Sequence, residues 1–306
     1  MKNLFVTPQI PFMGSENALP LEQADAVLFG ALHGTPYLNI ANEPFASAPD
    51  AMRVSLEDDA RWLDHWDYDL DGPLMGDKGF KLADAGNLKT TWEDGPGNRA
   101  KIKEATSLIL SSDAVPIMIG GDDSVPIPFI EALAPKGPLT LIQVDAHIDW
   151  RDERRGEPLG YSSTMRRASE MDHVERIIQV GMRGLGSARR EEVEIARAWG
   201  AEIITARKLH ADGLGAVMQH VPAGANCMIT FDCDALDAGI MPAVMAPTPG
   251  GLSYYQAIDL VAAVVQKANL VGFDMIEFVP ERDTNGTATL TAARIVANVI
   301  GCLARG

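Results

Sequence analysis

The strongest constraint on the fold is a rhythm in which short apolar runs, rich in Val and Ile, alternate with longer stretches of helical period. The apolar runs cover residues 26–29, 115–119, 139–144, 176–180, 202–205, 226–231 and 271–278, each bounded by turn-forming residues. Runs this short, apolar at successive rather than alternate positions, suit strands covered on both faces. Apolar spacing predicts helices over 57–66, 99–110, 191–199, 254–267 and 289–303, with Ser253 as the N-cap of the helix that starts at Tyr254. Alternating strand and helix requires right-handed crossovers and a mostly parallel central sheet with helices on both faces, a three-layer α/β/α architecture. No repeat or linker divides the chain, so residues 1–306 read as one domain. Residues 72–97 break the rhythm; they are rich in Gly and Asp, lack a period, and predict a long surface excursion.

Composition narrows the partners. Lys and Arg total 26 against 42 Asp and Glu, a formal net charge of −16. Such a balance argues against nucleic acid, whose affinity comes from cationic neutralisation of phosphates. It suits a cationic substrate or metal ions, although an acidic surface for solubility is the plainer explanation. Cys227, Cys233 and Cys302 form neither a disulfide framework nor a CxxC metal site. Residues 1–20 lack the basic start and apolar core of a signal peptide. No run approaches the roughly 18 apolar residues that a membrane helix needs. The expectation is a cytoplasmic protein with no membrane partner.

An open parallel sheet places its ligand outside the carboxyl ends of its strands. Three predicted strands end there in acidic clusters: Gly120-Gly121-Asp122-Asp123-Ser124, Asp145-Ala146-His147-Ile148-Asp149, and Asp232-Cys233-Asp234. Alternate side chains of extended backbone share a face, so Asp145, His147 and Asp149 can converge, as can Asp232 and Asp234, while Cys233 points into packing. Taken singly, these motifs are turns, helix caps and a core histidine. Together, so many carboxylates repel unless a cation neutralises them. An oxygen-rich set with a minority of imidazole suits Mn²⁺ or Mg²⁺, and carboxylates able to bridge suggest two ions holding one water.

This combination resembles the ureohydrolases (arginase, agmatinase and related guanidino-acid hydrolases) from about Leu28 to the C-terminus, with the agmatinase branch nearest. The family pattern reads Gly-Gly-Asp-His-Ser, Asp-Ala-His-x-Asp, Ser-Phe-Asp-x-Asp-x-Leu-Asp-Pro, then Pro-Gly-Gly and a later Glu. This chain offers residues 120–124, 145–149 and 230–238, Pro249-Gly250-Gly251 and Glu277; residues 161–168 resemble the agmatinase Tyr-x-His-Gly-Thr-x-x-Arg-Arg-Ala. The resemblance implies an arginase-like α/β/α fold and a binuclear manganese centre that hydrolyses a small cationic guanidino substrate to urea and an amine. It also implies a homotrimer or homohexamer. Carried over, Asp145 and Asp232 bridge the metals, Asp149 completes one metal and orients the hydroxide, and His147 and Asp234 complete the other. Asp123 occupies the remaining ligand position, and Glu277 holds the guanidinium, whose forked N–H donors suit a carboxylate.

Three departures bear on function. The family histidine after Gly-Gly-Asp is Asp123, which makes the cluster one unit more negative, raises the expected pKa of bound water, and marks either a carboxylate ligand or an altered metal position. The His-Gly of the substrate loop is Ser162-Ser163, so an imidazole shuttle is missing; His33 is a possible substitute, though it reads more simply as a loop-packing residue. The Gly-Thr-Gly-Thr-Pro turn is Ala243-Val244-Met245-Ala246-Pro247, which adds apolar bulk and suggests a leaving group unlike agmatine's.

Elsewhere the readings are plain. Trp62 and Trp66 share a helix face, Arg151 to Arg155 form a solvated loop, lid or subunit contact, and Arg166-Arg167 are helix-surface charges. The leading function is an agmatinase-like amidinohydrolase. Its rivals are the same fold with another guanidine or amidine substrate, and a catalytically silent structural or regulatory subunit.

Overall fold

The computed structural model describes residues 4–15, 19–40, 43–186 and 188–306. Nine strands form one sheet: β1 (Phe5–Val6), β2 (Ala26–Gly30), β3 (Leu82–Leu88), β4 (Val115–Ile119), β5 (Leu139–Val144), β6 (Val174–Met182), β7 (Glu202–Thr205), β8 (Asn226–Asp232) and β9 (Asn269–Ile276). Their order is β1-β3-β2-β4-β9-β8-β5-β6-β7, and every pairing is parallel except β1 with β3. The helices are α1 (Ala48–Ser55), α2 (Gly95–Leu110), α3 (Pro126–Ala132), α4 (Thr164–Ala168), α5 (Arg190–Trp199), α6 (Ala206–Asp212), α7 (Gly215–Met218), α8 (Tyr254–Lys267) and α9 (Thr287–Leu303). Among the described residues, no helix is long and apolar enough to cross a membrane.

The predicted three layers are present, and alternation along the strands explains them. Ile117 and Ile119 of β4, Ile142 and Val144 of β5, and Ile229 and Phe231 of β8 face a cluster completed by α1, α6, α7, α8 and α9. Met118, Leu139, Leu141 and Met228 point the other way, against α2, α3, α4 and α5. Burial on both faces is what a parallel sheet requires. Ser253 caps α8 as expected: its Oγ accepts from Gln256 N at 3.2 Å, and Gln256 Oε1 accepts from Ser253 N at 3.0 Å.

Two expectations fail. Residues 57–66 do not form an α-helix; the helix lies earlier, at α1, where Pro49 supports the first turn, and only a 3-10 turn, Asp59–Trp62, follows. None of the residues in that turn is buried, so no apolar face rewards a longer helix. Trp62 and Trp66 are each 56% exposed rather than packed. The second failure is the 72–97 excursion, which contains β3, wedged between β1 and β2.

A strand carrying Asp84, Gly86 and Asn87 is tolerated in the sheet because a cation is brought to it. Buried Arg53 of α1 grips Asp84 in a fork, Nε to Oδ2 and Nη2 to Oδ1, both at 2.8 Å, and its Nη1 donates to Asn87 Oδ1 at 2.6 Å. Phe12 N donates to the same carboxylate at 2.9 Å. Truncating one partner of a buried pair strands the other charge. Asp84→Ala is therefore expected to cost about 3–5 kcal/mol in denaturant unfolding, while Asp50→Ala, whose carboxylate is 60% exposed, costs far less. Equal losses would contradict this account of β3.

Candidate metal centre

Four adjacent strands build the site. β4, β9, β8 and β5 are consecutive in the sheet although far apart in the chain, and being parallel they present their carboxyl ends together. β4 delivers Asp122 and Asp123 through a turn in which Gly120 and Gly121 have φ of 84° and 79°. A Cβ on Gly120 would lie 2.6 Å from Pro49, and one on Gly121 would lie 2.7 Å from Val125, so only glycine fits at either position. β9 delivers Glu277, β8 delivers Asp232 and Asp234, and β5 delivers Asp145, His147 and Asp149. Asp149 and Glu277 are themselves held at positive φ, 49° and 62°, which is unfavourable for non-glycine residues. Strain concentrated on two proposed catalytic residues is a mark of a functional site.

The side chains converge in two overlapping groups. Asp145, His147 and Asp234 can each offer a ligand atom with all such atoms within 4.8 Å of one another, and so can Asp123, Asp145 and Asp149. Asp145 belongs to both, as a bridging ligand would. Asp232 falls outside both groups; it lines the same cavity, and its Oδ1 accepts from Asp234 N at 2.7 Å. Glu277 lies beside them, with Oε1 accepting from Asp123 N at 2.9 Å.

These groups fit divalent cations better than they fit one another. Both carboxylate oxygens of Asp123 are buried without a hydrogen-bond partner. Burial first, then the charges of Asp149 and Asp145, pushes its pKa well above the carboxylate range. Burial likewise raises Asp145, with Asp149 and Asp234 adding to it, and Asp232, with Asp234 and Asp145 adding to it. His147 Nδ1 lies 3.1 Å from Asp234 and 3.4 Å from Asp145, and these contacts push its pKa up to about 12. Without a cation the cluster holds protons, and a bound ion must displace them.

Sequence reading missed the support beneath. Gln143 Nε2 donates to Asp145 Oδ2 and Asp149 Oδ2, both at 2.7 Å. Gln179 Nε2 in turn donates to Gln143 Oε1 at 2.5 Å, and Trp150 Nε1 donates to Gln179 Oε1 at 3.0 Å. The available signal was a glutamine near the end of each of two mostly apolar runs. Arg183 was also missed; its guanidinium donates to Asp234 O at 2.6 Å and to Leu236 O at 3.0 Å, fixing the turn after β8.

Other expectations resolve here. His33 is a packing residue whose Nδ1 lies 3.0 Å from Thr90 Oγ1, and it does not line the cavity. Cys233 is fully buried in the core. Arg166 and Arg167 pair with Glu170 and Asp152 on the surface. Met245 and Ala246 line the cavity as the altered turn suggested, and Arg154, read as part of a solvated loop, lines it as well.

Fold and cluster together define a carboxylate-rich centre able to hold divalent cations at the carboxyl ends of four adjacent parallel strands. The chain belongs to the arginase family, whose model matches residues 29–302. It is 31% identical over 242 residues to an agmatinase of Pyrococcus horikoshii, covering 78% of this chain and 79% of that one. It is 29% identical over 228 residues to the mitochondrial guanidino acid hydrolase of Homo sapiens, where the match covers 72% of this chain and 64% of the human protein. The fold matches proclavaminate amidino hydrolase from Streptomyces clavuligerus with a TM-score of 0.84, 24% identity and 98% coverage of each chain. It matches Trypanosoma cruzi formiminoglutamase with Mn²⁺ with a TM-score of 0.79, 20% identity and coverage of 97% and 99%.

Two outcomes follow from the electrostatics. Because the raised carboxylates and His147 bind protons in the folded state that the unfolded chain releases, metal-free stability falls as pH rises above about 4. Mn²⁺ replaces those protons, so it should raise Tm more at about pH 8 than at about pH 5. Calorimetry with and without chelator checks this, and equal shifts would contradict it. Gln143→Met should weaken Mn²⁺ binding by about 10- to 100-fold in an equilibrium titration; an unchanged affinity would remove Gln143 from the support.

Proposed function

We propose that the protein hydrolyses a C–N bond of a linear guanidino compound, releasing urea and an amine, at a binuclear manganese centre. The observation that carries this reading is the pair of three-ligand groups sharing Asp145, with Glu277 beside them. Asp123, Asp145 and Asp149 would hold one ion, and Asp145, His147 and Asp234 the other, with Asp232 close to both. Bound there, the pair supplies a water of lowered pKa and positive charge facing the substrate. Asp123 serves as a carboxylate ligand in this reading, since both of its buried oxygens are free of hydrogen-bond partners.

The chain's own residues do the rest. Oε1 of Glu277 is engaged by Asp123 N, while no protein donor among the described residues holds Oε2, leaving it to accept from the planar guanidinium. Asp149, held by Gln143 and by its strained backbone, accepts a hydrogen bond from the attacking water and aims it at the guanidinium carbon. Attack gives a tetrahedral carbon, whose collapse expels the amine. Asp149 takes the water's proton as the C–O bond forms and returns it to the amine nitrogen as the C–N bond breaks, because His147, the only imidazole lining the cavity among the described residues, is committed as a ligand.

Urea release from agmatine, arginine, guanidinobutyrate and guanidinopropionate with added Mn²⁺ tests the reaction. At least one compound is expected to release urea, with about two manganese per chain by elemental analysis. Glu277→Gln should lower kcat/KM by about 100-fold or more while keeping its manganese. No urea from any compound, or activity that survives exhaustive chelation, would overturn the proposal; a metal-free, inactive chain would favour the silent-subunit reading.

A further inference from the structure

The cavity is chemically two-ended. Its inner end is the acidic cluster; its outer wall carries Tyr37, Arg154 and Tyr161, with Met245, which is 45% exposed, at the rim. The volume is about 240 Å³, enough for a short-chain metabolite and less than a drug-sized ligand fills. Among the described residues, Arg154 is the only lysine or arginine lining it.

Arg154 is held in place but not neutralised. Its Cζ lies 5.2 Å from the Tyr37 ring centroid and 5.6 Å from that of Tyr161, and Nη1 donates to the Tyr161 hydroxyl at 2.8 Å. The nearby acids are engaged elsewhere: Asp152 pairs with Arg167 at 2.8 Å, Glu153 accepts from Gly156 N, and Glu157 accepts from Leu159 N. Among the described residues none forms an ion pair with Arg154, so most of its fork of N–H donors stays open. In a chain with a net charge of −16, an unpaired guanidinium fixed between two rings in the wall of an acidic cavity calls for an anion from outside. Arg154, Tyr161 and Glu277 line this one small cavity, so a single short molecule can meet both ends.

We propose that Arg154 is a specificity-determining residue that binds a carboxylate at the tail of the substrate, making the substrate class a guanidino acid rather than a guanidino amine. This rests on the reaction proposed above. The substrate's guanidinium faces the acidic end, its carboxylate meets the Arg154 fork, and Met245 packs on the methylenes between. An amine tail would place a second cation against Arg154.

4-Guanidinobutyrate and agmatine test this directly, because they match in length and differ in tail charge. The Mn²⁺-loaded protein is expected to favour guanidinobutyrate by at least about 10-fold in kcat/KM. Arg154→Gln should raise KM for guanidinobutyrate by about 10- to 100-fold, with kcat changing less, and lower KM for agmatine. Arg154→Lys, which keeps the charge without the fork, should fall between. A preference for agmatine in the unsubstituted protein, or equal losses on both compounds in Arg154→Gln, would overturn the assignment and leave the reaction standing. Urea from neither compound, and none from arginine or guanidinopropionate, would overturn the reaction itself. Calorimetric binding of guanidinobutyrate still reads Arg154 in that case: weakened binding in Arg154→Gln supports the assignment, and an unchanged Kd overturns it.

Discussion

Everything at this site follows from the repulsion between carboxylates that the fold will not let separate. Asp123, Asp145, Asp149, Asp232 and Asp234 are all buried at the ends of neighbouring strands, where water cannot screen them. Within the protein, relief comes from the His147 ring, the Gln143 amide and a few backbone N–H groups, and none of these reaches the Asp123 oxygens. Buried charge that lacks a partner is either protonated or paired with something supplied from outside. The pair of divalent ions proposed for this site would meet that demand, and would make this arrangement of side chains affordable.

Sheet order gives the cluster its position. The chain leaves β4 by α3 and enters β5 three places away, and only later returns to fill the gap with β8 and β9. Acids separated by more than 150 residues, Asp123 and Glu277, thereby become hydrogen-bonded neighbours. Below the site the registry of β9, β8, β5 and β6 lines up a second polar row: Asp274 pairs with Thr230, Thr230 with Gln143, and Gln143 with Gln179. Thr230 Oγ1 donates to Asp274 Oδ1 at 2.8 Å, and burial pushes Asp274 up to about 8. Polarity thus continues one layer into the core, where it fixes Asp145 and Asp149 from beneath while apolar packing holds the opposite face of the sheet.

What the sequence made legible was set by contrast. Strands β4, β5 and β8 are apolar runs that end abruptly in acids, so their position and their site residues could be read together. β3 could not, because Asp84 and Asn87 look like loop residues until Arg53, 31 positions earlier, is known to neutralise one and bond the other. Gln143 and Gln179 were hidden for a related reason: a glutamine in a mostly apolar run carries no sign of the cross-strand partner that gives it a role. The 57–66 segment misled in the opposite sense, since helical spacing of aromatic residues implies a buried face that the fold does not provide. Arg154 lay in a run of mixed charge, where nothing local distinguishes a solvated arginine from one held between Tyr37 and Tyr161.

The most direct measurement of the central claim is anomalous diffraction from crystals of the protein grown with Mn²⁺. The account predicts two manganese peaks per chain that share the Asp145 carboxylate, one also bound by Asp123 and Asp149, the other by His147 and Asp234. A single peak away from Asp145, or no peak with the carboxylates still clustered, would contradict it.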